Sequence, residues 1–470
     1  MKRQLAPATL LFAAAVTLLF VSGSPNIELW AACLFAVPAL VWLAGGPNAN
    51  PVLLFILGIC WLAIVCDVLI ADLEGRTISD DFGAYSERAI LYSLCAMLAM
   101  AFGMRCAKLL GKWIFAQSQR KAAALEGIEY TIDLSHLLIF YFLSAGLATI
   151  LGILAWRVPN LTQPILALSL VRYVGIYLLA VTVVETRRGY TWLALVAMLE
   201  VATGMISFFA AYKEAIFVIL IAFASARQKL NGRIIAFLAV AVMAVFYISV
   251  VWSAVKKDYR EIMYDMTLEQ KIAYMEKQYL SPDFDFQVEM VELFKRIGYT
   301  TYYSQILARQ DEGIIAPDYN FYEKAVIHVL TPRILFPNKA VLDDSAITAK
   351  LLGIRIDPYT SIGVGYVAEA QIDFGFPGLL VPMWAIGVLL GMAAEYFMTR
   401  PVPLSIRQAF AVATLFNCFS FAADIDKAFG GFITGFLVMA VALKFGFPMI
   451  EPWLVGLPLR RKVYAVRTGR

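Results

Sequence analysis

Apolar residues in this chain come in blocks of about 20, separated by short polar stretches. A helical block of that length crosses a hydrocarbon core ~30 Å thick at ~1.5 Å per residue. The pattern predicts about twelve membrane-spanning helices, near 5–22, 27–44, 51–71, 89–110, 135–155, 164–184, 191–209, 214–226, 234–253, 376–397, 408–423 and 430–447. Strands are not expected, because an isolated strand leaves its backbone groups unsatisfied in lipid. The expected fold class is therefore an all-α polytopic membrane protein. Lys2 and Arg3 before the first block, and Val21-Ser22-Gly23 after it, have the outline of a signal peptide. The apolar run is long for a signal core and a second block follows at once, so a retained first helix is expected.

Basic residues set the orientation. With the N-terminus inside, the inward segments hold Lys2, Arg3, Arg105, Lys108, Lys112, Arg120, Lys121, Arg187, Arg188, Arg227, Lys229, Arg233, Arg400, Arg407, Arg460, Arg461 and Lys462. The outward short loops hold fewer: Arg76, Arg88, Arg157, Lys213 and Lys427. Asp72, Glu74, Asp80 and Asp81 add acid to the outer side. Both termini are expected in the cytoplasm. The chain then divides into spans one to nine (1–253), a large outer segment (254–375), three further spans (376–447) and a basic inner tail (448–470).

The outer segment is far longer than an ordinary connection of ~4–6 residues. Apolar-periodic stretches at Phe286–Leu307 and Tyr322–Leu330 predict helices within it. It also carries half of the chain's 22 tyrosines, among them Tyr299, Tyr302, Tyr303, Tyr319, Tyr322 and Tyr366. Aromatic faces of this kind suit helix packing and also stacking on sugar rings.

Composition agrees with a membrane protein: 61% of residues are hydrophobic and 16% charged, against ~25% charged in a soluble domain. A net charge of +4 is too small to suggest a nucleic-acid partner. The six cysteines lie in or beside apolar blocks and read as small packing residues. No His or acidic cluster has metal-ligand spacing, and there is no P-loop or dinucleotide fingerprint. No cofactor is expected.

Charges inside spans mark candidate sites. Arg172 lies within the sixth block, as a ligand-binding cation, a buried ion-pair partner or a snorkelling side chain. Lys213 and Glu214 stand where blocks seven and eight meet, and pairing between them is the alternative to a substrate role for Lys213. Glu200 and Glu395 read as structural. Asp424, Asp426 and Lys427 form an outer polar turn between the last two spans. The end of the outer segment is richest: in Thr331-Pro332-Arg333-Ile334-Leu335-Phe336-Pro337-Asn338-Lys339 two prolines restrict the backbone that carries Arg333 and Lys339. Arginine offers a planar donor fork suited to phosphate, and lysine a point charge. Small residues in Gly363-Val364-Gly365 allow close backbone approach. Glu369 and Asp373 follow one helical turn apart on one face. Glu369 is either a general base or a salt-bridge partner for Arg333. His136 and His328 read as structural, with a catalytic role for His328 as the alternative.

The segments Pro332–Lys339, Gly363–Glu369 and Phe374-Gly375-Phe376-Pro377-Gly378 resemble the pattern "PR…P-K … G…E…FG…G" of Wzy-type oligosaccharide repeat-unit polymerases, the O-antigen and exopolysaccharide polymerases of bacteria. Tyr212-Lys213-Glu214-Ala215-Ile216 resembles that family's basic residue opening a span, with Thr203-Gly204 in place of its Gly/Ser-rich stretch. The resemblance implies a glycosyltransferase-C-like membrane fold in the bacterial inner membrane. It also implies transfer of a glycan from undecaprenyl diphosphate to a hydroxyl of a new lipid-linked repeat unit at the outer face. Arg333, Lys339, Arg172 and Lys213 would hold the diphosphate without a metal, Glu369 would be the base, and Asp373, His328 and Tyr366 would contact substrate. A chain-length regulator and other polysaccharide-assembly proteins are the implied partners. An O-antigen-type ligase, a glycolipid transporter or flippase, and a non-enzymatic subunit of a secretion complex are the alternatives.

Overall fold

The computed structural model describes residues 7–125, 132–206, 212–226, 232–262, 284–317, 319–333, 344–356, 362–416 and 418–455, with isolated positions between 262 and 284 and between 333 and 344. Several residues named above lie outside the described ones: Lys2, Arg3, Arg227, Lys229, Ile334, Pro337, Asn338, Arg460, Arg461 and Lys462. The described elements are helical apart from a lone bridge between Ile132 and Val455.

Among the described residues, six helices are long and apolar enough to cross a membrane: Pro51–Leu73, Ser86–Ile114, Leu134–Ala155, Thr162–Thr186, Leu380–Met398 and Ile425–Leu454. Five more apolar helices are shorter: Leu10–Phe20, Ile27–Leu43, Tyr190–Gly204, Ala239–Ala254 and Leu404–Leu415. The protein is a membrane-embedded helical bundle. The predicted block at 408–423 is a shorter helix, Leu404–Leu415, set after Pro403 and followed by the turn that carries Phe421 and Asp424. The last span starts at Ile425 and passes through a π-type turn, Ala442–Gly446, to Leu454, so it is longer than the predicted 430–447. The span predicted at 164–184 breaks at Leu170 into Thr162–Ser169 and Val171–Thr186. Gly232–Ile262 continues unbroken past position 253.

The segment beyond it packs three amphipathic helices, Phe286–Ile297, Thr300–Asp311 and Phe321–Leu330, against one end of the bundle. The chain re-enters the bundle through Phe374-Gly375-Phe376-Pro377-Gly378. There Gly375 has φ 62°, a left-handed value that glycine adopts at no steric cost, and it ends the helix begun at Tyr366. At the opposite end, buried Arg407 donates to the carbonyls of Val402, Met398 and Ala122 at 2.7, 3.1 and 3.1 Å. It satisfies acceptors at the C-terminus of the Leu380–Met398 helix that the helix itself leaves open.

The bundle is centred on the pair Ser86–Ile114 and Leu380–Met398, which meet backbone to backbone. A Cβ on Gly103 would lie 2.1 Å from the Trp384 carbonyl oxygen. One on Gly387 would lie 1.9 Å from that of Met100, and one on Gly391 2.5 Å from Ala107 Cβ. Small residues permit this approach where lipid supplies no hydrophobic drive for helix association. Gly387→Leu should therefore cost more than the ~1–3 kcal/mol of ordinary overpacking, lowering the thermal unfolding temperature of the detergent-purified protein. Gly58→Leu, where a Cβ would meet nothing within 4 Å, should leave it unchanged. Equal effects of the two would argue against the seam.

Candidate functional site

The outer-segment helices are fixed to the bundle by carboxylates that receive helix N-terminal amides. Asp67 is fully buried within the Pro51–Leu73 span. Its Oδ2 accepts from the amides of Tyr299 and Thr300, at 2.9 and 2.8 Å, where the Thr300–Asp311 helix starts. The first amides of a helix have no partner inside it, and negative charge there is favoured by the helix dipole. Gly298 is required beside this contact, because a Cβ on it would fall 1.8 Å from Asp67 Oδ1.

Two further helix starts cap each other. Glu369 Oε2 accepts from the Ile425 amide at 2.7 Å, the first residue of the last span. Asp424, one residue earlier, accepts from the Gly365 amide at 3.1 Å, just before the helix that carries Glu369. The Tyr366 amide donates to the Ala423 carbonyl between them, at 2.8 Å. Both carboxylates are buried. Glycines make the approach possible. A Cβ on Gly363 would lie 2.2 Å from an Asp424 oxygen, and one on Gly365, at φ 83°, would lie 2.0 Å from the Phe421 carbonyl.

Tyrosines join these clasps. Tyr299 Oη accepts from the Ala368 amide at 2.8 Å, and Tyr322 Oη donates to the Tyr366 carbonyl at 2.8 Å. Tyr366 is fully buried, its hydroxyl 3.8 Å from Cys60 Sγ. Burial raises all three phenols well above their ordinary value, so they stay protonated. Asp373 Oδ2 accepts from the Tyr322 amide at 2.9 Å, and its Oδ1 is buried without a hydrogen-bond partner among the described residues. Burial holds the Asp373 carboxyl above its ordinary value, against the opposing Tyr322 amide.

The cations of the 331–339 segment lie against the same structure. The Phe321–Leu330 helix packs on both Tyr366–Gly378 and the last span. Lys339 Nζ donates to the carbonyl of His328 near that helix's end. Partial burial and then the charge of Arg333 lower the Lys339 pKa, while Asp426 raises it, so Lys339 lies within electrostatic reach of both. Arg333, Lys339, His328, Tyr366, Glu369, Asp373 and the 424–427 turn thus gather at one end of the bundle.

Arg172 belongs to a different cluster. It bridges Glu200 at 3.8 Å and Glu214 at 4.0 Å, and its Nη2 donates to Tyr173 Oη at 2.5 Å. Tyr173 Oη donates in turn to Glu214, and Tyr141 Oη to Glu200 at 2.8 Å. Four apolar helices contribute. Lys213, an exposed neighbour of Glu214, stands at its edge. Asp67 carries the same signal as Arg172, a lone charge inside an apolar block, but its partners are visible only with the 299–300 amides folded onto it.

No protein-family profile, curated protein or solved structure matches the chain.

If Glu369 acts on stability through the Ile425 amide, Glu369→Gln keeps an acceptor oxygen and should unfold near the parent temperature. Glu369→Ala should lose ~0.5–2 kcal/mol, the usual cost of a removed helix cap. Equal losses would reject the acceptor role. Asp373 gives a pH signature. A carboxyl whose folded pKa lies above its unfolded value, near 3.8, adds stability below that value and loses it as pH rises through the folded pKa. Asp373→Asn retains an acceptor for the Tyr322 amide and cannot titrate. In melts from acid to neutral pH, parent stability relative to Asp373→Asn should fall as pH rises; a difference independent of pH would refute this.

Proposed function

We propose that this protein is a polysaccharide polymerase, a membrane glycosyltransferase that joins oligosaccharide repeat units carried on undecaprenyl diphosphate. On this reading it has a glycosyltransferase-C-like fold crossing the bacterial inner membrane about twelve times, with both termini in the cytoplasm and residues 254–375 outside. The observation that carries the reading is the meeting of Arg333, Lys339, Glu369, Asp373 and the 424–427 turn at the end where the 284–330 helices pack. Arg333, Lys339 and Glu369 come from the segments on which the resemblance rests, and Asp373 stands immediately before one of them.

The chemistry is displacement at an anomeric carbon. The bond from that carbon to the diphosphate oxygen breaks, and a bond to the acceptor hydroxyl oxygen forms. The diphosphate leaves as an anion neutralised by Arg333 and Lys339, with basic side chains in the role a metal plays elsewhere. The hydroxyl proton passes to a carboxylate. Glu369 and Asp373 are the candidates, and a base must come within ~2.6–3.2 Å of the hydroxyl. Buried Glu369 meets that demand only if substrate reaches it beside Ile425. Length regulation by a partner protein would act on the same outer surface.

A transporter is the second reading, and the Arg172–Glu200–Glu214 cluster favours it. Ionisable residues inside spans mark ion and substrate pathways. Purified protein incubated with lipid-linked repeat units separates the readings. A ladder of longer glycans is expected, lost in Arg333→Ala and partly restored in Arg333→Lys, since a point charge replaces a bidentate fork only in part. A single transfer to another acceptor lipid would mean a ligase. No transfer, together with movement of the glycolipid across vesicles, would mean a transporter. A full ladder in Arg333→Ala would reject the diphosphate role, and a full ladder in Glu369→Gln would move the base to Asp373 or His328.

A further inference from the structure

The Phe321–Leu330 helix is amphipathic, and its unpacked face is apolar at the C-terminal end. Phe321 and Ala325 are buried, whereas Val326, Ile327 and Leu330 are 44%, 53% and 73% exposed. The turn that follows adds Leu335 at 71% and Phe336 at 50%. Backbone bonds from the amides of Leu335 and Phe336 to the Pro332 carbonyl, at 2.9 and 3.0 Å, hold these two side chains close behind the helix. Five large apolar side chains within eleven positions form one knuckle, and a patch of this kind on a protein surface calls for a partner.

The depth of the knuckle identifies that partner. Val329, on the inner side of the helix, lies 3.8 Å from where a Cβ on Gly430 would stand. Gly430 follows Ile425, the first residue of the last span, by five residues. At ~1.5 Å per residue it lies about 7 Å inside the end of that span. The same glycine is approached by Gln163 of the Thr162–Ser169 helix, at 3.7 Å. Leu166 on that helix is exposed, as a lipid-facing residue would be. An interfacial amphipathic helix buries its apolar face ~5–10 Å into the headgroup and acyl boundary. The knuckle is therefore level with the border of the bilayer and continuous with its lipid-facing wall.

We propose that Val326, Ile327, Leu330, Leu335 and Phe336 form a membrane-immersed knuckle that enters the leaflet at this end of the bundle, with phospholipid acyl chains as the occupant. The Phe321–Leu330 helix is then anchored on the bilayer as well as on the protein. This holds whichever reaction the protein performs. If the glycosyl-transfer reading is right, it also sets Arg333 and Lys339 at the depth where a lipid-borne diphosphate lies.

The test uses the full chain in vesicles of phosphatidylethanolamine and phosphatidylglycerol, with the native cysteines replaced by alanine and folding checked by thermal unfolding. A polarity-sensitive fluorophore is attached to Leu330→Cys, to Phe336→Cys and, on the charged end of the same helix, to Glu323→Cys. Phospholipids bearing a nitroxide just below the headgroup should quench the labels at 330 and 336 several-fold more than the label at 323. Iodide in the water should show the reverse order. Iodide quenching at 330 and 336 equal to that at 323, without nitroxide quenching, would overturn the proposal by placing the knuckle in water. Protection of 330 and 336 from both quenchers would overturn it by showing that protein covers the patch.

Discussion

A helix that starts inside a protein leaves its first amides without partners, and burying them unpaired costs about as much as a lost hydrogen bond. At one end of this bundle the problem arises three times within a small volume. The starts of Thr300–Asp311, Tyr366–Gly378 and Ile425–Val441 converge there, and each receives a carboxylate from elsewhere in the chain: Asp67, Asp424 and Glu369. The arrangement links residues hundreds of positions apart. It joins an early span, the outer segment and the last span through carboxylates that accept from main-chain amides. The position of Arg333, Lys339 and Asp373 follows from it, because the helix that precedes the two cations packs on two of the three clasped helices.

The span pattern was legible because lipid imposes one length on every crossing helix. Ile27–Leu43, Pro51–Leu73, Ser86–Ile114 and Leu134–Arg157 start and end close to the apolar blocks that predict them. The ends that moved are governed by backbone chemistry rather than by hydropathy. Gly375 and Pro377 delay one span to Leu380, and Asp424 and Ile425 start the last one early because Glu369 receives the Ile425 amide. In the site, the glycines at 363 and 365 announced close approach correctly, but not what would approach. The partners are Asp424 and the Phe421 carbonyl, about sixty positions downstream. Glu369 and Asp373 do share one helix, yet one oxygen of each already receives an amide proton. Spacing alone cannot foresee that.

The two polar clusters differ in kind. Glu369 and Asp424 accept from the main-chain amides of Ile425 and Gly365, which position helices and keep their geometry when charge changes nearby. Around Arg172 the partners are side chains: two carboxylates and two phenols from four helices. Such a network depends on the protonation of its members and on the separation of the helices that carry them. The first cluster fixes architecture near the candidate cations. The second couples four helices through charge, inside apolar surroundings where a change of charge is felt strongly.

A seam of glycine against carbonyl has no rotamers to exchange. Side chains at an interface can shift from one staggered state to another and let two helices slide. Gly103, Gly387 and Gly391 leave no such freedom, since main chain meets main chain across the pair. The Ser86–Ile114 and Leu380–Met398 helices therefore behave as one rigid body, a keel for the molecule. Any change in the shape of the bundle has to come from tilting the remaining helices against that keel. The Leu134–Arg157 helix, tied to Glu200 through Tyr141 and turning much of its surface outward, has room to tilt.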